Sequence, residues 1–283
     1  MQSNNPVFRN AEGFSQNAYG NATYAGNGQA HAGFGTDPSN WGVGTPGDTY
    51  APTAPTRRMT IDSVVQKTAI SLGVVIVAAL ATWIVTPDVA TAVDLGPLYT
   101  AATVGALGAF VLSLVNSFKR VISPALVIAF CAFEGVALGA LSKSFDAAFG
   151  GGVVTGAVFG TFAAFAGTLA AYKVFDIKVG NKFRMFVTAA VFGMVGLSLM
   201  ELVLSLFGAE LGLFGFGGLG LLTAIAGLVL GVFMLVMDFD FVEQGIRNGL
   251  AEVESWRAAF AMTVSLVWIY TNLLRLLAIF SQD

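Results

Sequence analysis

The sequence predicts an all-α membrane protein: a bundle of seven transmembrane helices with a cytoplasmic N-terminus and the C-terminus outside. Three observations carry this. Of 283 residues, 55% are hydrophobic and only 11% are charged, against roughly 25% charged in soluble domains. The apolar residues gather into seven runs near the length of about 20 residues that a spanning helix needs. The basic residues alternate from one connection to the next.

The elements follow in order. Residues 1–58 are low-complexity, rich in Asn, Gly, Ala, Thr and Pro, with aromatics spaced from Phe8 to Tyr50. Such a segment buries too little apolar area to offset its chain entropy, so a disordered tail is expected. It lacks the basic-then-apolar pattern of a signal peptide. The seven spans are Thr68–Thr86, Leu98–Asn116, Pro124–Leu141, Val153–Tyr172, Met185–Phe207, Gly217–Met237 and Ala258–Phe280. The polar FVEQGIRNGLAEVESW stretch after the sixth run extends that helix by a turn or two. There Glu243 and Arg247 stand four apart, in the favourable order for a helical ion pair.

Twelve of the fourteen Lys and Arg residues lie in the N-terminal segment and the second, fourth and sixth connections. Lys143 is the one basic residue of the opposite side, and Arg275 lies within the last span. Cytoplasmic loops retain Lys and Arg, which sets the orientation. Gly135/Gly139, Gly156/Gly160 and Gly227/Gly231 repeat a spacing that lets helix backbones approach closely. Cys131 belongs to the first of these small-residue stripes.

Several chemistries are absent from the pattern. A net charge of −3 with no basic patch speaks against nucleic acid. One histidine, His31 in the tail, and one cysteine, Cys131, offer no metal set and no internal disulfide. No Walker loop, HExxH or GxSxG occurs, and no cofactor is expected. DFDFV lacks the ligand spacing of an EF-hand loop, so no high-affinity metal site is expected either. The expectation is a protein that is not an enzyme.

The acidic residues within or beside the spans carry the functional reading. Glu134 lies near the middle of the third run, and Asp238 and Asp240 close the sixth. A carboxylate at that depth must be solvated, paired or protonated, and such groups usually mark ion pathways. Glu134, Asp238 and Asp240 are therefore the candidates for an ion pathway or gate. Structural alternatives are a protonated Glu134 bonded to a neighbouring helix and aspartates resting among headgroups. Lys119 and Arg120, at the end of the second run, are candidate counter-charges, as is Arg275, whose default is to reach the interface with its long stem. Glu201 is expected near its own interface.

SPALVIAFCAFEGVALGALSKSF in the third run, FMLVMDFDF closing the sixth and NLLRLLAIFSQD closing the seventh stand in order. Together they resemble the Bax inhibitor-type membrane proteins, in a bacterial branch, over roughly Met59–Gln282. The resemblance implies seven helices with a cytoplasmic N-terminus in the bacterial inner membrane. It implies a pH-sensitive calcium leak, with calcium as permeant ion. In that family an aspartate on helix six and another on helix seven share a hydrogen bond, and a basic residue near the end of helix two engages them. Asp238 matches the helix-six member. Counting back from NLLR places the helix-seven position at Ser265, which is not acidic. An Asp–Ser pair holds one titrating group where two carboxylates would raise each other's proton affinity. The alternatives are a non-conducting regulator that binds a membrane protease or stress-response partner, and a proton-coupled transporter using Glu134.

Overall fold

The computed structural model describes residues 57–89, 95–209 and 211–282. Among them the chain forms seven helices, each long and apolar enough to cross a membrane. They are α1 (Ile61–Val85), α2 (Leu95–Phe118), α3 (Pro124–Phe149), α4 (Gly151–Val174), α5 (Asn181–Leu206), α6 (Gly218–Arg247) and α7 (Glu254–Phe280). The tail expected over 1–58 lies outside the described residues, except for Arg57 and Arg58.

Local chemistry sets the helix starts. Thr60 and Ser63 cap α1 reciprocally, each side chain bonding the other's backbone N–H. Pro124 sits at the first position of α3, where its missing N–H removes no bond. The helices outrun their apolar segments. α3 continues past Leu141 through Ser142, Lys143 and Ser144. Both hydroxyls bond back to carbonyls of their own helix, those of Leu138 and Ala140. The buried Lys143 ammonium donates to the carbonyls of Trp83 and Thr86 at 2.9 and 2.6 Å and stands 3.2 Å from Asp88. A cation there satisfies the unpaired carbonyls ending α1 and complements its dipole. α6 runs on through the polar stretch to Arg247, about two turns past its start at Phe241, as expected, with the Arg247–Glu243 pair in its last turns.

α7 stands at the centre. It is the least apolar span, yet Ala258, Ala259, Phe260, Ile269, Leu274 and Ala278 are almost wholly buried. α1, α4 and α6 pack around it, α2 packs on α3, and α5 packs chiefly on α6. α5 buries one residue, Val187. Leu107 and Phe110 of α2 and Phe192 and Leu202 of α5 are exposed, as faces turned to lipid would be. The glycine stripes mark close helix crossings. A Cβ on Gly139 would overlap the Ala79 carbonyl oxygen, and one on Gly135 would overlap that of Val75. α3 and α1 therefore touch backbone to backbone. Gly227 and Gly231 receive Asn272 and Ile269 of α7.

One end of the bundle gathers the start of α1, the α2–α3 connection and the α6–α7 connection; we call it the basic end. Here Arg57–Met59 lies antiparallel to Leu250–Glu252. The Met59 N–H donates to the Leu250 carbonyl and the Glu252 N–H to the Arg57 carbonyl, both at 2.7 Å. Gly249 turns the chain into this pairing with φ of 65°, a conformation glycine adopts without penalty. Met59 is buried against Gly245 and Leu250. Lys67 donates to the Glu252 carboxylate and carbonyl at 3.1 and 2.9 Å, and Ser63 bonds Ser255 at 2.7 Å.

Candidate functional site

Three successive residues of α6 address three different helices. Asp238 turns to α7, where the Ser265 hydroxyl donates to its Oδ2 at 2.5 Å. Phe239 turns to α4, with its ring 5.6 Å from that of Phe165 and 5.8 Å from that of Tyr172. Asp240 turns to α5 and pairs with Arg184. Gln244, one turn on, donates to the same Asp240 oxygen at 2.7 Å. A helix advances about 100° per residue, so the MDFDF run reaches three neighbours within one turn.

Both aspartates are buried, at 4% and 6% exposure, and Ser265 at 1%. Asp238 lies nine residues before the end of α6, and Ser265 eleven after the start of α7. At 1.5 Å per residue each is about 14–16 Å from its helix end. α6, with 30 residues, is longer than the ~30 Å hydrocarbon thickness requires, and Asp238 stands directly after the apolar run that ends at Met237. Among the described residues its polar partner is a neutral hydroxyl, whereas Asp240 has a cation. The two carboxylates are two residues apart but electrostatically distinct.

The basic partner expected on α2 comes from elsewhere. Lys119 and Arg120 are exposed and form no ion pair among the described residues. Arg120 contributes its backbone instead, accepting from Nη2 of Arg257 at 3.0 Å. Arg184 takes the role toward Asp240. It sits in the first turn of α5, in the basic run that followed α4, and no spacing rule connects it to a residue on α6. Arg275 does not turn to an acid. Its guanidinium reaches Thr223 and the carbonyls of Leu213 and Gly220 at 3.2–3.3 Å and lies 5.0 Å from the Phe214 ring. It holds the α5–α6 connection, as does Glu201, which accepts from the Gly212 N–H at 3.0 Å.

Glu134 does not join Asp238. Its neighbours along α3, Phe130 and Leu138, belong to a core cluster with Phe260, Tyr270 and Leu274 of α7. Those three stand roughly 140–180° around α7 from Ser265. Asp238 instead adjoins the cluster containing Leu235, Phe239, Leu266 and Ile269. α7 therefore stands between the two acids. Among the described residues no group of three or more His, Cys, Asp or Glu is placed to hold a metal. Calcium takes six to eight oxygens, and Asp238 with Ser265 supplies far fewer.

No curated protein matches the chain. The family model described as Bax inhibitor 1 like matches residues 5–282, reaching well into the tail. Seven spanning helices and this match over nearly the whole chain lead to one conclusion: the protein is a multi-pass membrane protein of the Bax inhibitor 1 like family.

Proposed function

We propose that the protein is a pH-sensitive calcium leak of the inner membrane, oriented with its basic end in the cytoplasm, and that α6 and α7 form its gate. The observation that carries this reading is Asp238, a buried carboxylate held across the α6–α7 seam by one hydroxyl. An anionic oxygen there attracts a cation, and a site with few ligands binds it weakly enough for the ion to leave. Protonation removes the charge and leaves the Asp238–Ser265 contact between two neutral groups. The gate then responds to pH through one carboxylate. Arg184 fixes Asp240 as the neighbouring, charge-compensated wall.

The test is calcium flux into vesicles carrying the purified protein. Asp238→Asn is expected to abolish most of the flux and flatten its pH profile. Ser265→Asp places two carboxylates across the seam, and such pairs lose their protons in two steps; its profile should gain a second step. Wild-type flux no faster than that of empty vesicles, or unchanged by Asp238→Asn together with Glu134→Gln, would remove the channel reading. Deleting residues 1–56 spares the Arg57–Met59 pairing. Flux should survive that deletion, whereas a regulator acting through its tail would lose its function.

A further inference from the structure

Glu134 has a setting of its own. Two contacts fix the register of α3 against α7. The Phe130 and Phe260 rings stand 4.9 Å apart, edge to face, and the Ser142 and Tyr270 hydroxyls are 2.6 Å apart. The two helices therefore run in the same direction. Glu134 lies one turn beyond Phe130, which corresponds on α7 to the level of Val264, beside Ser265. Glu134 and Asp238 are acids at one depth on opposite faces of α7.

The surroundings of Glu134 are polar toward the basic end only. One turn before it on α3 is Cys131, fully buried and on the same side of the helix. Gly135 and Gly139 of α3 meet Val75 and Ala79 of α1, and one turn earlier on both helices the same register sets Cys131 beside Ser71. The Ser71 side chain is also fully buried, and its hydroxyl has no hydrogen bond of normal geometry. Ser71 continues a stripe of buried polar residues on α1, Ser63, Lys67 and Ser71, spaced one turn apart. Lys67 and Ser63 lead to Glu252 and Ser255 at the water-facing end. In the other direction Leu138 is buried one turn beyond Glu134, and the Ser142–Tyr270 pair closes the gap above it. Glu134 itself is half-buried, with no ion pair or hydrogen bond to another described side chain.

We propose that Glu134 is a second proton-binding site, which exchanges its proton with water at the basic end along the Ser63–Lys67–Ser71 edge of α1. The proton arrives from water, sits on a Glu134 oxygen and leaves by the same route; no other group changes its bonding. The charged groups around this edge are already committed: Lys67 to Glu252 and Arg257 to Glu254. Cys131 is the other titratable group facing it, and Tyr270 lies beyond Glu134 on the far side, bonded to Ser142. An unpartnered carboxylate in the membrane is costly, and a proton is the ligand that relieves it without further ligands. The site goes beyond the leak and does not depend on calcium permeation.

Infrared difference spectra of the full-length protein in lipid discs, between acid and alkaline medium, test this. A protonated-carboxyl band should appear on acidification, vanish in Glu134→Gln, move in Glu134→Asp and persist in Asp238→Asn. Ser71→Ala should slow exchange of that proton with deuterium in the medium. The proposal fails if the wild type shows no such band, if Glu134→Gln leaves every carboxyl band in place, or if Asp238→Asn removes the same band. Unchanged exchange in Ser71→Ala overturns the route.

Discussion

Arg257→Ala is expected to lower the melting temperature of the solubilised protein more than any other single substitution at the basic end. The guanidinium is wholly buried at 0% exposure. Its Nε donates to Glu254 at 2.6 Å, and Nη2 joins α7 to the α2–α3 connection through the Arg120 carbonyl. Glu254 is itself buried at 6%. Truncation leaves a carboxylate in the protein interior without its cation, a loss of about 3–5 kcal/mol for such pairs. Total stability is on the order of 5–15 kcal/mol, so a large share would go. Arg257→Lys should recover only part, because an ammonium lacks the planar fork that serves two acceptors at once. Thermal unfolding followed by circular dichroism decides it. A variant melting with the wild type would show that Glu254 finds water or another donor.

Arg184→Ala is expected to free α5 from α6. Besides the Arg184–Asp240 pair, α5 meets α6 through apolar contact, with the Phe183 ring edge to face on that of Phe233 at 5.4 Å. Val187, one turn beyond Arg184, is its one buried residue, packed with Leu230 and Met237. The Arg184–Asp240 pair is mostly buried, with the side chains 15% and 9% exposed. Losing a charged hydrogen bond of this kind removes about 1.5–3 kcal/mol, which is roughly tenfold to a hundredfold in the equilibrium between closed and parted helices. A cysteine at position 187, in a Cys131→Ser background, reads this directly. Its labelling by a water-soluble maleimide should be slow when Arg184 is present and faster by about that factor when it is absent. Equal labelling rates would mean that α5 is held by lipid and apolar contact alone.

The seven helices were legible because each is a separate apolar run, and hydropathy counts runs well. Their ends were less so. The third run stops at Ser142–Lys143–Ser144, but the helix does not, since each polar group there finds a backbone carbonyl. Ser265 was located by counting from NLLR, and the structure stands it opposite Asp238. Arg184 was visible only as one of several basic residues in a connection. Its partner is 56 positions away, and charge patterns along one helix carry no information across two. The same limit explains the shared path expected for Glu134 and Asp238. Position along a run is readable from the sequence, Glu134 near the middle of one and Asp238 at the end of another. Which helix stands between them is a matter of packing order, and α7, the least apolar span, gives no hydropathy signal that it belongs in the middle.

The antiparallel pairing of Arg57–Met59 with Leu250–Glu252 has a mechanical consequence. Arg57, which follows fifty-six residues of chain, is paired with the short connection joining α6 and α7. A load on that pairing is delivered to the connection first. Two backbone hydrogen bonds and the Met59 plug must yield before any helix bends, so whatever grips the leader has leverage on the seam between Asp238 and Ser265 from outside the bilayer.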